Sequence, residues 1–266
     1  MKQISIILSV LFLTACATVP LTGRKQFKAV PLSQMLSLSA SSYEQVLQEN
    51  AISDNEKYRD MVKTVGHNIS AAVEKFFTEN NMQDEINNYK WEYNVLVSDE
   101  LNAWCMPGGK IAFYEGIMPV CENETGVAVV MAHEVAHAIA EHGNERLSQQ
   151  LALQLGGMAL SEALEKEKET TQNLAMLAFG VGSQVGMMLP YSRLHEKEAD
   201  EMGLYLMAMA GYDPKESITF WQRMMANSAT TTPEFLSTHP SPDNRIKYLE
   251  SKMDKAMEYY NASKAS

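Results

Sequence analysis

The 266-residue chain is predicted to fold as a mostly helical α+β domain carrying one small β-sheet. Three observations carry this. Apolar residues recur at helical spacing over long stretches, as at Met61, Val65, Ile69, Val73 and Phe76. One stretch alternates instead: Trp91, Tyr93, Val95 and Val97 interleave with Glu92, Asn94 and Leu96, and Lys110 to Tyr114 is a second short strand. Between them Pro107-Gly108-Gly109 supplies a turn leading back from Ala103-Trp104.

Residues 1–15 read as a secretory signal. Lys2 stands before the apolar run Ile4 to Leu13, which is shorter than the roughly twenty apolar residues of a membrane span. Leu13-Thr14-Ala15-Cys16 resembles a bacterial lipobox, so Cys16 is expected to be lipidated, the alternative being an ordinary signal cut elsewhere. By resemblance to such lipoproteins, Ala17 rather than aspartate after the cysteine implies the outer rather than the inner membrane of a Gram-negative host, with the chain facing the periplasm. Residues 16–32, with Pro20, Gly23 and Pro31, are expected to form a lipidated N-terminus and extended tether whose Arg24, Lys25 and Lys28 are free to touch anionic headgroups.

Removing the leader leaves a chain of about 250 residues, enough for one domain with a proper core. Its helices are expected over Ser33–Glu49, Asn55–Asn80, from Asn123 as cap to Gly143, from Glu145 to near Lys166, over 174–188, over Ser192–Ala210, after Asp213-Pro214, and around Ile246 and Leu249. Leu174 to Met188 reads as a packed helix with close neighbours, and the methionines as core and groove fillers. A polar loop runs from Asn227 to Pro242.

A net charge of −11 and a pI near 5.1 exclude nucleic acid as a partner, since binding it needs Lys and Arg to neutralise phosphates. Cys105 and Cys121 remain beyond Cys16. An oxidising compartment would permit a bridge between them, or they are two buried thiols.

Chemistry concentrates in His133-Glu134-Val135-Ala136-His137. Two histidines four residues apart sit above one another on a helix and both reach one metal ion, while Glu134 lies beside it. Zinc held by three protein ligands keeps a fourth position for water and lowers the pKa of that water to about 7, and a neighbouring carboxylate takes its proton. Such an arrangement needs a third ligand from another element. Glu196 is the best candidate, with Asp200 one turn later on the same face to hold the outer nitrogen of a ligand histidine, and Glu198 pointing elsewhere.

These residues resemble the forty-eighth family of zinc metallopeptidases, which includes HtpX, the CAAX prenyl proteases and the Oma-type mitochondrial proteases. The matching pieces are His133-Glu134-x-x-His137, Ser192-Arg193-x-x-Glu196-x-x-Ala199-Asp200, Asn102-Ala103-Trp104, Pro107-Gly108-Gly109, and His239-Pro240 to Arg245-Ile246. Leu21-Thr22-Gly23-Arg24-Lys25-Gln26 resembles the bacterial lipoprotein branch of the family. The resemblance implies a zincin-type (gluzincin) metallopeptidase domain over residues 33–266, holding one zinc ion per chain on His133, His137 and Glu196, with Glu134 as base and Asp200 behind the ligands.

Other residues leave choices open. His142 is expected at a helix end, turned away from His133 and facing the negative dipole. His195 and His67 are read as structural or solvated, and Arg193 and Arg245 as scaffold. His239 is expected either to steady an oxyanion or to occupy the open zinc position at rest. Asn102, Ala103 and Trp104 form either an edge strand that pairs with an extended substrate or an ordinary core strand. The expected activity is endopeptidase cleavage of unfolded or misassembled envelope proteins, and quality control is what the resemblance implies. Its rivals are an assembly chaperone with a capped, silent site and an exopeptidase acting on chain ends. The oligomeric state is not legible.

Overall fold

The computed structural model describes residues 16–227, 234–239 and 244–265. The signal segment, Pro240 and Pro242 therefore lie outside the described residues. Two three-residue strands open the fold, β1 (Cys16–Thr18) and β2 (Lys25–Phe27), paired antiparallel with Cys16 opposite Phe27. The turn between them is tight: Leu21 and Gly23 take positive φ, and Val19 N and Gly23 N donate to Arg24 O and Val19 O at 2.8 and 3.0 Å.

This corrects the expectation of an extended tether. Val19 is 1% exposed and packs with the core, Arg24 lies between Glu145 and Glu198, and Lys28 pairs with Glu141. Two of the three basic residues are thus committed to carboxylates of the domain rather than free for headgroups.

Helix α1 (Leu32–Glu49) and α2 (Glu56–Glu79) follow, then the single turn α3 (Gln83–Ile86). Asn55 caps α2 by accepting from Tyr58 N, and Val62, Val65, Ile69, Val73 and Phe77 form its buried stripe. Strands β3 (Glu92–Leu96), β4 (Ala103–Met106) and β5 (Lys110–Tyr114) make a sheet in the order β3-β5-β4. β5 runs parallel to β3 and antiparallel to β4, leaving β4 at an edge. Gly108 and Gly109, at φ 86° and 82°, make the reversal between β4 and β5 that only glycine adopts without strain.

After the short α4 (Met118–Cys121) comes the core helix α5 (Glu124–Ile139), whose N-terminus is capped by Asn123 Oδ1 accepting from Thr125 N and Gly126 N. It stops at Ile139, earlier than Gly143. Glu141 takes a left-handed φ of 52° at the corner, and α6 (His142–Ala163) begins immediately afterwards. The side chain of Glu141 secures that corner by accepting from Lys28 and from Asn144 Nδ2.

Helix α7 (Glu169–Ser183) runs into a π-helical turn, Gln184–Met188, and then into α8 (Leu189–Met209). The expectation of close neighbours around 174–188 is not met. No residue of α7 is buried; Leu174, Leu177 and Val181 face solvent, and the helix rests on α6 through Phe179 over Gly156 and Gly157. Helices α9 (Glu216–Asn227), α10 (Glu234–Thr238) and α11 (Arg245–Ala265) complete the chain. The core lies where α5 meets α8, α2 and the sheet, with Met131, Met202, Tyr205, Phe220 and Phe235 fully buried. Cys105 and Cys121 are free thiols. No helix among the described residues is long and apolar enough to cross a membrane.

Candidate active site

Helical spacing puts His133 and His137 on one side of α5, and α8 brings Glu196 against them. The two helices meet almost backbone to backbone because Gly203 lies two turns beyond Glu196. A Cβ on Gly203 would stand 2.9 Å from His133 N. His239 arrives from a third direction, just after α10. Phe235 N donates to Leu101 O at 3.1 Å, at the approach to β4, and the Phe235 ring stacks on His239 with centroids 4.7 Å apart.

Four donor side chains converge. His133 Nε2 is 3.2 Å from His137 Nε2, 3.4 Å from Glu196 Oε2 and 3.4 Å from His239 Nδ1. Glu196 Oε1 is 3.3 Å from His137 Nε2 and 3.2 Å from His239 Nδ1. A zinc ion at bond lengths near 2.05 Å has ligand atoms separated by about 3.3 Å along each edge of its tetrahedron. The separations given, which use both oxygens of Glu196, lie near that edge, and one donor atom from each of the four side chains lies within 4.8 Å of the other three, so the residues present suit zinc in donor type and can close on it.

Hydrogen bonding behind the ligands fixes which nitrogen faces the centre. His133 Nδ1 lies 3.1 Å from Asp200 Oδ1, bent from the ideal line, so its proton faces the carboxylate and Nε2 keeps its lone pair. For His137 the support is another histidine. His142 Nε2 donates to Glu198 Oε2 at 3.0 Å, which leaves His142 Nδ1 as acceptor for His137 Nδ1–H at 2.8 Å. His137 Nε2 is then bare toward the centre. His142 is thus not a dipole-facing helix-end residue: it is fully buried at the start of α6, because α5 ends before it and Glu141 turns the chain. Glu198 points away from the metal donors, as expected, and toward His142.

The charges follow from burial and partners. Burial pushes the Glu134 carboxyl up, with His239 and His133 opposing. Burial lowers His137 to about 3 and holds His142 well below its ordinary value. For His133 burial is outweighed by Asp200 and Glu196, which raise it to about 10, so a metal would displace the Nε2 proton to gain the lone pair. Burial also opposes charge on Glu196, yet His137, His133 and His239 keep it far below the usual carboxylate range. Glu134 Oε1 is buried without a hydrogen bond among the described residues; His239 Nε2 approaches to 3.5 Å. A buried carboxylate with a spare acceptor next to a metal-sized tetrahedron is suited to taking a proton from water.

Arg245 was expected as scaffold, and it stands nearer the chemistry than that. Its Nε donates to Asp200 Oδ2 at 2.7 Å and its Nη2 to Glu196 Oε2 at 3.2 Å, with the guanidinium 3.8 Å above the Trp221 ring. His195 is buried rather than solvated, stacked on His142 at 4.3 Å and bonded to Glu145 at 2.8 Å. His67 is exposed beside Tyr93.

Asn102 stands just before β4, its backbone O accepting from Tyr114 N and its side chain from Ala103 N. Ala103 is buried, while Trp104 is half-buried against Tyr43. Sequence spacing did not point to the supporting role of His142, nor to Arg24 and Glu198 behind it. Leu21-Thr22-Gly23-Arg24 was visible as a motif, but only tertiary packing joins it to position 142.

Fold and donor set together define a zincin-type metallopeptidase domain with zinc as its metal. The model described as Peptidase family M48 matches residues 66–253, and the chain belongs to that family. It is 31% identical over 243 residues to the mitochondrial metalloendopeptidase OMA1 of Schizosaccharomyces pombe, covering 91% of this chain and 67% of the relative. Human metalloendopeptidase OMA1 is 26% identical over 268 residues, 97% of this chain and 49% of that protein. The Escherichia coli β-barrel assembly-enhancing protease is 28% identical over 160 residues, 59% and 33% respectively. The chain thus spans between a third and two thirds of the length of these relatives.

Proposed function

We propose that the protein is a zinc metalloendopeptidase of a bacterial cell envelope that cleaves unfolded or misassembled proteins. The observation that carries the peptidase reading is the convergence of donor atoms from His133, His137, Glu196 and His239 to within 4.8 Å of one another, with Glu134 beside them. Bound zinc would supply Lewis acidity, making water nucleophilic near neutral pH and polarising a carbonyl. Glu134 accepts the proton of the attacking water and passes it to the leaving amine; burial, which raises its carboxyl, favours the first of these transfers. The edge of β4 offers backbone groups to an extended chain, which gives affinity without a strong side-chain preference and suits unfolded substrates. The envelope location rests on Cys16 after Leu13-Thr14-Ala15, with anchoring through lipid, and on likeness to a protease named for β-barrel assembly.

A second reading is favoured by His239. Its Nδ1 lies 3.4 Å from His133 Nε2 and 3.2 Å from Glu196 Oε1, so with zinc bound His239 would serve as a fourth ligand and cap the resting site. In that state the protein would hold misassembled chains as an assembly factor rather than cut them. Casein digestion by zinc-loaded wild type and by Glu134→Gln, with metal content measured for both, tests the proposal. The variant is expected to retain one zinc and lose activity by at least a hundredfold. An equal rate in the variant refutes the mechanism, and no digestion by a zinc-loaded wild type supports the capped reading.

A further inference from the structure

We propose that the N-terminal hairpin is a working part of the metal centre, with Arg24 acting as a positioning residue for His137 through Glu198 and His142. This rests on the zinc-site reading above and concerns residues some distance behind the ligands.

The connection is continuous. Arg24 Nε donates to Glu198 Oε2 at 2.7 Å, and Thr22 Oγ1 donates to Glu198 Oε1, so two donors from one β-turn hold both oxygens of that carboxylate. Held there, Glu198 Oε2 accepts from His142 Nε2, and His142 Nδ1 in turn accepts from His137 Nδ1. Arg24 Nη1 and Nη2 also reach Glu145 at 3.1 and 2.7 Å, and Glu145 accepts from His195, which stacks on His142. The side chains of Glu145, Glu198 and His142 are 1%, 4% and 0% exposed, so water does not substitute for these partners.

Neutral imidazole has two tautomers, and a histidine ligates metal only through the nitrogen that lacks the proton. Nothing within the imidazole pair of His137 and His142 decides which ring donates to the other. The decision enters at Glu198, because an ionised carboxylate only accepts, and Glu198 is fixed by the hairpin. By contrast His133 takes its orientation from Asp200, which Arg245 holds from α11. The two histidine ligands are therefore set by opposite ends of the chain, and loss of Arg24 should disturb one of them selectively.

The hairpin is fastened independently of Arg24. Lys28 pairs with Glu141, Ala29 N donates to Ser148 Oγ at 2.8 Å, and Asn144 Nδ2 donates to Val30 O at 2.9 Å. Substituting Arg24 thus leaves other contacts to keep the segment in place.

The test compares Arg24→Ala with Lys25→Ala, which removes the same charge from the next residue, exposed at the start of β2. Zinc affinity is measured by chelator competition, histidine tautomers by 15N-edited NMR of the metal-free protein, and folding by its thermal melting. Arg24→Ala is expected to bind zinc about tenfold to a hundredfold more weakly. The His137 signals should lose their single tautomer while those of His133 stay unchanged, and Lys25→Ala should match wild type within about twofold. Should Arg24→Ala not fold, Thr22→Val removes one donor to Glu198 and is expected to weaken zinc severalfold. Wild-type affinity in Arg24→Ala, or in Thr22→Val where that variant is needed, overturns the proposal, as does equal disturbance of His133 and His137. A wild-type protein that binds no zinc overturns the site reading instead.

Discussion

Asp200 serves His133 and Arg245 at once: Oδ1 lies 3.1 Å from His133 Nδ1, and Oδ2 accepts from Arg245 Nε at 2.7 Å. An amide in its place can present its NH2 to His133 Nδ1 and turn the imidazole proton toward the metal donors. Asp200→Asn is therefore expected to lower zinc affinity by about tenfold to a hundredfold. Chelator competition checks it, and an affinity within twofold of wild type would show that the contact does not orient the ring.

His239→Ala opens the fourth corner of the tetrahedron. Hydrolysis of an unfolded protein should rise severalfold while zinc binds more weakly, because one donor is lost as the water position is gained. A fall in activity would instead assign His239 to the oxyanion.

Gly203→Ala tests the close approach of α8 to α5. The new methyl would sit 2.9 Å from His133 N and 3.0 Å from His133 Cα, both backbone atoms that have no easy escape. The cost in stability is expected near 1–3 kcal/mol by urea unfolding, together with weaker zinc binding, since Glu196 moves with its helix.

Arg245→Leu leaves Asp200 and Glu196 buried without their shared cation. Breaking such an arrangement costs on the order of 3–5 kcal/mol. Thermal melting of the metal-free variant should show the loss, and a melting point equal to that of wild type would contradict it.

Acid should weaken the fold partly through Glu145. Burial alone would raise its carboxyl, but His195 and Arg24 bring it down to about 2 from an ordinary 4.5. The folded state thus prefers the ionised form, so this contribution is complete above about pH 4.5 and is lost as pH falls toward 2. Unfolding free energies taken through that window should fall less steeply in Glu145→Gln than in wild type.

Much of this was legible in the chain. A two-residue periodicity gave β3, Pro107-Gly108-Gly109 gave the reversal before the short strand β5, and Asn123 gave the start of α5. The motif at 133–137 and the 196–200 segment named side chains that the structure brings together, because helical spacing alone puts such side chains on one face. His142 was misread because the break after Ile139 depends on Glu141 adopting a left-handed backbone, which its own sequence does not favour and which Lys28 and Asn144 secure from outside. The segment 16–32 looked like a tether because its contacts are all long-range: Arg24 meets partners at 145 and 198. Apolar composition over 174–188 suggested burial, yet composition does not say whether a neighbouring element exists to cover the helix.

The π-helical turn at Gln184–Met188 joins the exposed α7 to the carboxylate helix α8. Such a turn is equivalent to one extra residue threaded into an α-helix, offsetting the rotational phase on its two sides by about 100°. A single-codon deletion there would leave Glu196 seated and swing the solvent-facing Leu174, Leu177 and Val181 to a new azimuth. The direction in which that apolar arm looks is thus adjustable by evolution without touching the metal.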